Sequence, residues 1–81
     1  MTRESIYDRL TTIFHKVFDD DSIVISDSTT ASDIDDWNSF EHLNLIVAIE
    51  SEFKTKFTIG EAVAMQNVGD IVDILEARGN T

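Results

Sequence analysis

Ser39 is the side chain of this sequence whose position most clearly suggests a chemical role, because it lies where a polar loop passes into a predicted helix. Asn38 is a favoured N-cap residue, and Glu41 three positions later completes a capping-box pattern, so the helix should begin at Ser39. The first backbone N–H groups of a helix lack intrahelical acceptors, and the helix dipole adds partial positive charge there. A phosphate ester on the Ser39 hydroxyl would be stabilised at such a place. We therefore interpret Ser39 as an attachment point for a phosphorylated group.

Ester hydrolysis is a second chemistry to consider, because His42 lies three positions after Ser39 and could act as its general base. Helical side chains at this spacing do not face each other as a catalytic pair must, and no third orienting group is evident. We therefore expect His42 to be an exposed docking residue and His15 to lie on a helix surface. The sequence predicts that the protein is not an enzyme.

Calcium binding by the aspartate-rich segment is a further alternative. An EF-hand loop needs oxygen ligands at alternating positions. A loop starting at Asp19 would place Ile23 at its fifth position, and one starting at Asp33 would place Trp37 there, so neither frame fits. No specific metal site is predicted, and only a loose association of divalent ions with the acidic cluster stays open.

The elements that hold Ser39 in place are predicted to be helices. Apolar residues recur at helical spacing from about residue 2 to 18, whereas the polar segment 19–38 has no sustained period and is predicted as a long loop. A second helix is predicted over 39–53, a short third helix over 58–66 and a last helix over 67–79. The predicted fold is an all-α, small four-helix bundle with three longer helices, one short third helix and a long loop between helices one and two.

The second helix is predicted to bury one apolar face. Successive turns of the helix are marked by Leu43, Ile46, Val47 and Glu50, and Ile49 and Phe53 widen the apolar face. We expect the long loop to be held by its own apolar side chains, as loops of this length in compact domains usually are. The loop residues expected to pack onto the bundle or over the loop are Ile23, Ile25, Ile34 and Trp37.

Length and composition predict one small globular domain spanning residues 1–81. There is no cysteine, so disulfides and thiolate metal sites are excluded, and any thiol chemistry must come from an added group. The chain does not open with a secretory signal pattern, and it has no apolar run of membrane-spanning length. We expect a cytoplasmic, monomeric protein without membrane insertion.

The charge of the chain is strongly negative and unevenly distributed. The formal net charge is −10, and no lysine or arginine lies between Lys16 and Lys54. Such an anionic surface repels nucleic acid and anionic lipid headgroups and attracts basic patches on proteins. We therefore predict no nucleic-acid partner and protein partners with basic docking patches.

The run Asp36-Trp37-Asn38-Ser39-Phe40, set between a long acidic loop and an acidic second helix, resembles the acyl carrier proteins, including the related carrier domains of polyketide and nonribosomal peptide assembly. The resemblance covers nearly the whole chain. In that family, the serine of an Asp-Ser-Leu motif is esterified by 4′-phosphopantetheine, whose thiol carries acyl groups as thioesters. Ser39 matches the modified serine.

The resemblance also implies partners and contact residues. The partners are a phosphopantetheinyl transferase, which would load Ser39, and acyl-transferring, ligating or condensing enzymes. Val47 and Met65 are expected to border the path of an acyl chain between helices two and three. The residues expected to dock partners are Asp36, Asn38, Phe40, Glu41, Glu50 and Glu52.

Two positions depart from the family pattern. Asn38 stands where the family has aspartate, and Phe40 stands where it has leucine. Asparagine caps a helix as well as aspartate does but carries no charge. This difference keeps an unmodified helical interaction module open as an alternative, and an aminoacyl or peptidyl carrier is another. The sequence leaves open whether the cargo belongs to fatty acid, polyketide or specialised acyl metabolism.

Overall fold

The computed structural model describes residues 2–78, and in this part of the chain every regular element is helical. The predicted architecture of three longer helices, a short third helix and a long loop after the first is confirmed. The predicted end of the last helix near Gly79 lies outside the described residues. The helices are α1 (Arg3–Val17), α2 (Ser39–Phe53), α3 (Ile59–Ala64) and α4 (Val68–Arg78), with a short 3-10 helix at Ala31–Asp33.

Helix α1 is the central packing element, because it contacts both α2 and α4. It begins after Thr2, whose hydroxyl oxygen accepts a hydrogen bond from the backbone N–H of Ser5 at 3.1 Å. Ile6, Leu10 and Phe14 follow at helical spacing and are fully buried. The remaining fully buried large side chains come from the two helices that α1 contacts and are Leu45, Ile49, Val68, Ile71 and Val72.

Helix α2 has the predicted bounds, but its predicted buried face is partly wrong. Leu45, Ile46 and Ile49 are buried, whereas Leu43 is 63% exposed and Val47 is 64% exposed. The helix carries apolar residues on two stripes, and only the stripe facing α1 and the core is covered. The other stripe remains on the surface next to the short α3.

The long loop is held by apolar side chains, as predicted. Ile34 and Trp37 are buried, and Ile23 and Ile25 are partly buried against the core. The ring of Trp37 meets that of Phe14 edge-on at 5.4 Å between centroids. The 3-10 helix in this loop was not predicted, and it follows from a capping box that Thr30 and Asp33 form with each other.

Backbone hydrogen bonds fasten the loop to the start of α4. The N–H of Val68 donates to the carbonyl oxygen of Thr29 at 2.9 Å, and the N–H of Gly69 donates to that of Asp27 at 3.0 Å. A Cβ atom at position 69 would lie 2.9 Å from the same Asp27 oxygen. Glycine is therefore required for the close approach of these two segments.

A polar cluster around the Asp27 side chain also holds this junction. Arg3 on α1 donates to carboxylate oxygens of Asp27 and Asp73, each at 2.9 Å, and the Tyr7 hydroxyl donates to Asp27. The bonds from Tyr7 and then Arg3 lower the pKa of Asp27. Burial, followed by the bond to Asp27, raises the pKa of Tyr7 to about 12. The loop that leads into α2 is thus fixed to both α1 and α4.

Helix α3 is shorter than predicted and contributes no buried residue. Thr58 and Glu61 form the predicted capping box, in which the Thr58 N–H donates to Glu61 at 2.9 Å and the Glu61 N–H donates to the Thr58 hydroxyl at 3.0 Å. The helix ends at Ala64, and the chain then turns Met65 into the core. With glycine in its first turn and no buried face, α3 is the least supported helix among residues 2–78.

Candidate functional site

The start of α2 is capped by Asn38. Its side-chain oxygen accepts the N–H of Glu41 at 2.9 Å, and its carbonyl oxygen accepts the N–H of His42 at 2.8 Å. The Glu41 carboxylate does not complete the predicted capping box, because it accepts a hydrogen bond from the Asn44 side chain at 2.7 Å instead. One half of the predicted cap is therefore present, and it suffices to begin the helix at Ser39.

Ser39 is the first residue of α2 and is exposed. The N–H groups of Ser39 and Phe40 precede the first backbone bond of the helix, which the His42 N–H makes. These groups and the helix dipole place partial positive charge beside the Ser39 hydroxyl. The geometry suits a phosphate ester at this hydroxyl and leaves it accessible to a modifying enzyme.

A cleft of about 540 Å³ opens beside Ser39, between the start of α2 and α3. Apart from Ser39 itself, its walls include one aromatic ring and several aliphatic side chains. Of the two residues predicted to border an acyl chain, Met65 lines this cleft, whereas Val47 is exposed and lies outside the lining. The cleft therefore offers apolar surface that starts at Ser39. Its main apolar lining residues are Trp37, Leu43, Ile59, Val63 and Met65.

His42 is half-buried and hydrogen-bonded, so the prediction of an exposed docking residue is wrong. Its Nδ1 accepts the indole N–H of Trp37 at 3.1 Å, and its Nε2 lies 3.1 Å from the carbonyl oxygen of Ala62. The rings of His42 and Trp37 stack with centroids 5.9 Å apart. Because both ring nitrogens are engaged, the imidazole cannot serve Ser39 as a general base.

Three of the four acidic residues predicted to dock partners are bonded within the chain, and one of them is Glu41, which accepts the bond from Asn44. The Glu50 carboxylate accepts the N–H of Phe57 at 2.8 Å and so holds the loop after α2. The Glu52 carboxylate pairs with Arg9 of α1 at 2.7 Å. Asp36 lies exposed in the loop, and Glu41 is half-buried on the first turn of α2. Glu52 is exposed as well, so burial does not separate the acids at the two ends of α2.

An exposed apolar stripe follows Ser39 along α2, and the sequence reasoning missed most of it. Phe40 is 71% exposed, and Leu43 and Val47 are exposed to a similar degree. Ser39, Leu43 and Val47 are four residues apart in turn, so they share one side of the helix. This spacing in the sequence indicates a second apolar stripe, which begins at Ser39 and is separate from the stripe that faces the core. We call Phe40, Leu43 and Val47 the α2 surface stripe.

Other classes of site are not found in the described part of the chain. Residues 2–78 contain no group of three or more histidine, aspartate or glutamate side chains that could hold a metal ion. Within the same residues, no helix has both the length and the apolar character needed to span a bilayer. The candidate functional site consists of Ser39, its cleft and the α2 surface stripe.

Comparison with known proteins points to one kind of molecule. No family model matches the chain, and no match is found among curated proteins. Among solved structures, the chain is similar to the solution NMR structure of a holo acyl carrier protein from Geobacter metallireducens. The two share 51% sequence identity over 88% of this chain and 82% of the other, with a TM-score of 0.83.

Proposed function

The chain belongs to the acyl carrier protein family, and on this premise we propose that it holds acyl intermediates as thioesters on a 4′-phosphopantetheine arm attached to Ser39. The similar protein from Geobacter metallireducens was studied in its holo form, which supports a covalently attached cofactor here as well. A member of this family is a carrier and not an enzyme. The partner enzymes supply the catalysis.

The observation that carries the assignment of Ser39 is its place in the structure. Ser39 is the exposed first residue of a capped helix and also lines an apolar cleft. The helix start favours the phosphate of the arm, and the cleft offers apolar surface to whatever the arm carries. No other serine of the described chain lines that cleft.

The chain's own residues and the cofactor divide the chemistry between them. The protein has no cysteine, so the cofactor supplies the sulfur that forms the thioester. Ser39 supplies the oxygen of the phosphodiester linkage. Asn38 fixes the helix start that presents this oxygen, and the cleft residues Leu43 and Val63 provide apolar contact next to it.

We propose that partner enzymes dock on the α2 surface stripe and on the acids that flank its start. Exposed apolar side chains at one end of an anionic surface suit a partner with an apolar contact area inside a basic rim. The residues assigned to this surface are Asp36, Asn38, Glu41, Phe40, Leu43 and Val47. The proposed partners are a phosphopantetheinyl transferase and acyl-transferring, ligating or condensing enzymes. Glu50 and Glu52 take a smaller part, because they lie at the end of α2 that is distant from Ser39.

The apolar lining of the cleft favours an acyl cargo of fatty acid, polyketide or specialised acyl metabolism over an aminoacyl or peptidyl cargo. Met65 lines the cleft and is proposed to contact this chain. Val47 is exposed outside the lining, so we propose it as a docking residue. A cytoplasmic location and a single domain over residues 1–81 remain predictions of the sequence.

Coexpression with a broad-specificity phosphopantetheinyl transferase tests the proposal. Intact-protein mass spectrometry should show the addition of one cofactor mass to the wild-type chain and none to Ser39→Ala. Ser51→Ala is the matched control, because Ser51 is also an exposed serine of α2 and should not affect loading. An unmodified wild-type chain would favour the unmodified interaction module, and modified Ser39→Ala would move the attachment point elsewhere.

A further inference from the structure

Helix α3 forms one wall of the cleft beside Ser39, yet it has little apolar packing to hold it there. None of its residues is buried, and Ile59 and Val63 are 84% and 78% exposed. A second cleft of about 600 Å³ lies along α3, lined in part by Gly60 and Ala64. Apart from Ala62, which is partly buried against the core, polar contacts hold α3 in place.

Two polar contacts from other helices hold α3. On the α4 side, Arg78 donates to both carboxylate oxygens of Glu61, at 2.7 and 2.6 Å. On the α2 side, the His42 ring contacts the carbonyl oxygen of Ala62 at 3.1 Å. The first contact fixes the N-terminal half of α3 to the bundle. The second crosses the cleft wall next to Ser39, and His42 is itself a lining residue of that cleft.

The hydrogen-bond partners of His42 determine which nitrogen of its ring carries a proton. An indole N–H can only donate, so the Nδ1 that meets Trp37 must be unprotonated. A carbonyl oxygen can only accept, so the Nε2 that meets Ala62 must carry the proton. The two contacts together therefore require a neutral imidazole with its proton on Nε2. Trp37 in turn packs against Phe14 in the core, so the imidazole connects α3 to the interior of the bundle.

We propose that His42 is a positioning residue whose ring ties the backbone of α3 to Trp37 and so sets the width of the cleft beside Ser39. A second proton on the ring breaks its hydrogen bond to Trp37 and so releases this tie. The tie is a property of the unmodified chain. It can therefore be tested without a cofactor, and its failure would be distinct from a failure of loading at Ser39.

A second proton on the His42 ring would change its contact with Trp37. Aspartate and glutamate ordinarily titrate near pH 4, whereas an imidazole changes charge between about pH 5 and 8. Protonated Nδ1 would meet the Trp37 indole donor with a second donor, so this hydrogen bond would be lost. The charged groups close in sequence to the ring or to its contacts Trp37 and Ala62 are Glu41 on α2, Asp35 and Asp36 in the loop, and Glu61 on α3, which is paired with Arg78 of α4.

Each ring nitrogen can be tested separately, because asparagine and glutamine each reproduce one of them. His42→Asn places an oxygen near the position of Nδ1, so it keeps an acceptor for Trp37 and loses the contact to Ala62. His42→Gln places an amide near the position of Nε2, so it keeps the donor and loses the acceptor. His42→Leu removes both contacts and serves as the reference for complete loss.

Two measurements on the unmodified protein report the two contacts. Trp37 is the single tryptophan, so the one indole N–H resonance in an NMR spectrum reports its bond to Nδ1. Amide hydrogen exchange across residues 59–64 reports how firmly α3 is held. Loss of one hydrogen bond should speed this exchange about two- to tenfold.

We expect His42→Asn to keep the wild-type indole shift but to exchange faster in α3, and His42→Gln to show the reverse pattern. His42→Leu should lose both. If the Asn and Gln variants, shown by circular dichroism to be folded, match the wild type in both measurements, the tie does not position α3 and the proposal is wrong.

An acid titration tests the same tie without changing His42. From about pH 8 to 5, the indole resonance of the wild type should move toward the position it has in His42→Leu. His15→Gln is the matched control, because His15 is the other histidine of the chain and bonds Ile23 away from the cleft. The control should respond as the wild type does. An indole resonance that stays constant across this range, or a response that disappears in His15→Gln, would overturn the proposal.

Discussion

The single tyrosine of the chain tests how the loop before Ser39 is held. Burial and the hydrogen bond to Asp27 raise the pKa of Tyr7 from 10.0 to about 12. At about pH 10.5, a phenol with a pKa of 12 is roughly 3% ionised, whereas one with a pKa of 10 is roughly 76% ionised. The ultraviolet absorbance of tyrosinate should therefore stay close to zero at this pH while the protein is folded.

Tyr7 and Asp27 affect the free energy of unfolding at opposite ends of the pH scale. Folding raises the pKa of Tyr7, so its contribution is fully present below pH 10 and is lost as the pH rises through about 12. Folding lowers the pKa of Asp27, so its contribution is present at neutral pH and is lost as the pH falls below the ordinary value of 3.8. The loop anchor should be strongest between these two limits.

Asp27→Asn tests the effect of the Asp27 charge on the pKa of Tyr7 separately from the effect of burial. The substitution removes the carboxylate but leaves the phenol partly buried, so the pKa of Tyr7 should fall to a value between 10 and 12. Asp73→Asn is the matched control, because Asp73 bonds Arg3 and not Tyr7. A wild-type midpoint near 10 with the helical circular dichroism signal intact would refute the reasoning. So would titration curves of the wild type and Asp27→Asn that coincide.

Three further predictions concern the backbone and the surface. Gly69→Ala should lower the free energy of unfolding, measured by urea titration, by about 1–3 kcal/mol, because its Cβ would lie 2.9 Å from a loop carbonyl oxygen. Gly60→Ala should raise that free energy by up to about 1 kcal/mol, because its Cβ would make only an ordinary contact of 3.9 Å with the Thr58 hydroxyl. Asn38→Ala should cost about 1 kcal/mol in the same assay through loss of the α2 cap, and an unchanged midpoint would contradict the capping role. Glu41→Lys should weaken binding of the transferase more at low than at high salt, whereas Glu4→Lys on α1 should have little effect. Equal losses of affinity at both salt concentrations would indicate that Glu41 contributes through its shape rather than its charge.

The start of the functional helix could be predicted because the determining signals are local. The preference of asparagine for the N-cap and the polar character of the preceding loop fixed the first residue of α2 at Ser39. The resemblance of the surrounding residues then indicated the family. The same local reasoning predicted the Thr58 cap of α3.

The faces of α2 could not be predicted in the same way, because burial depends on the neighbouring helices. Leu43 and Leu45 are the same residue type two positions apart, yet one is exposed and the other is fully buried. The role of His42 depends on Ala62, which is 20 residues away in sequence. The short length of α3 left the side of α2 that carries Leu43 and Val47 uncovered, and no pattern within α2 indicates that length.

The absence of core residues from α3 has a consequence for how this carrier could diversify. Mutations that alter its outer side chains leave the interior formed by α1, α2 and α4 intact, so they should be tolerated without loss of folding. Selection can therefore act on the α3 wall of the cleft beside Ser39 nearly independently of selection for a stable molecule. Related carriers that serve different pathways would be expected to vary most in this short segment and least along α1.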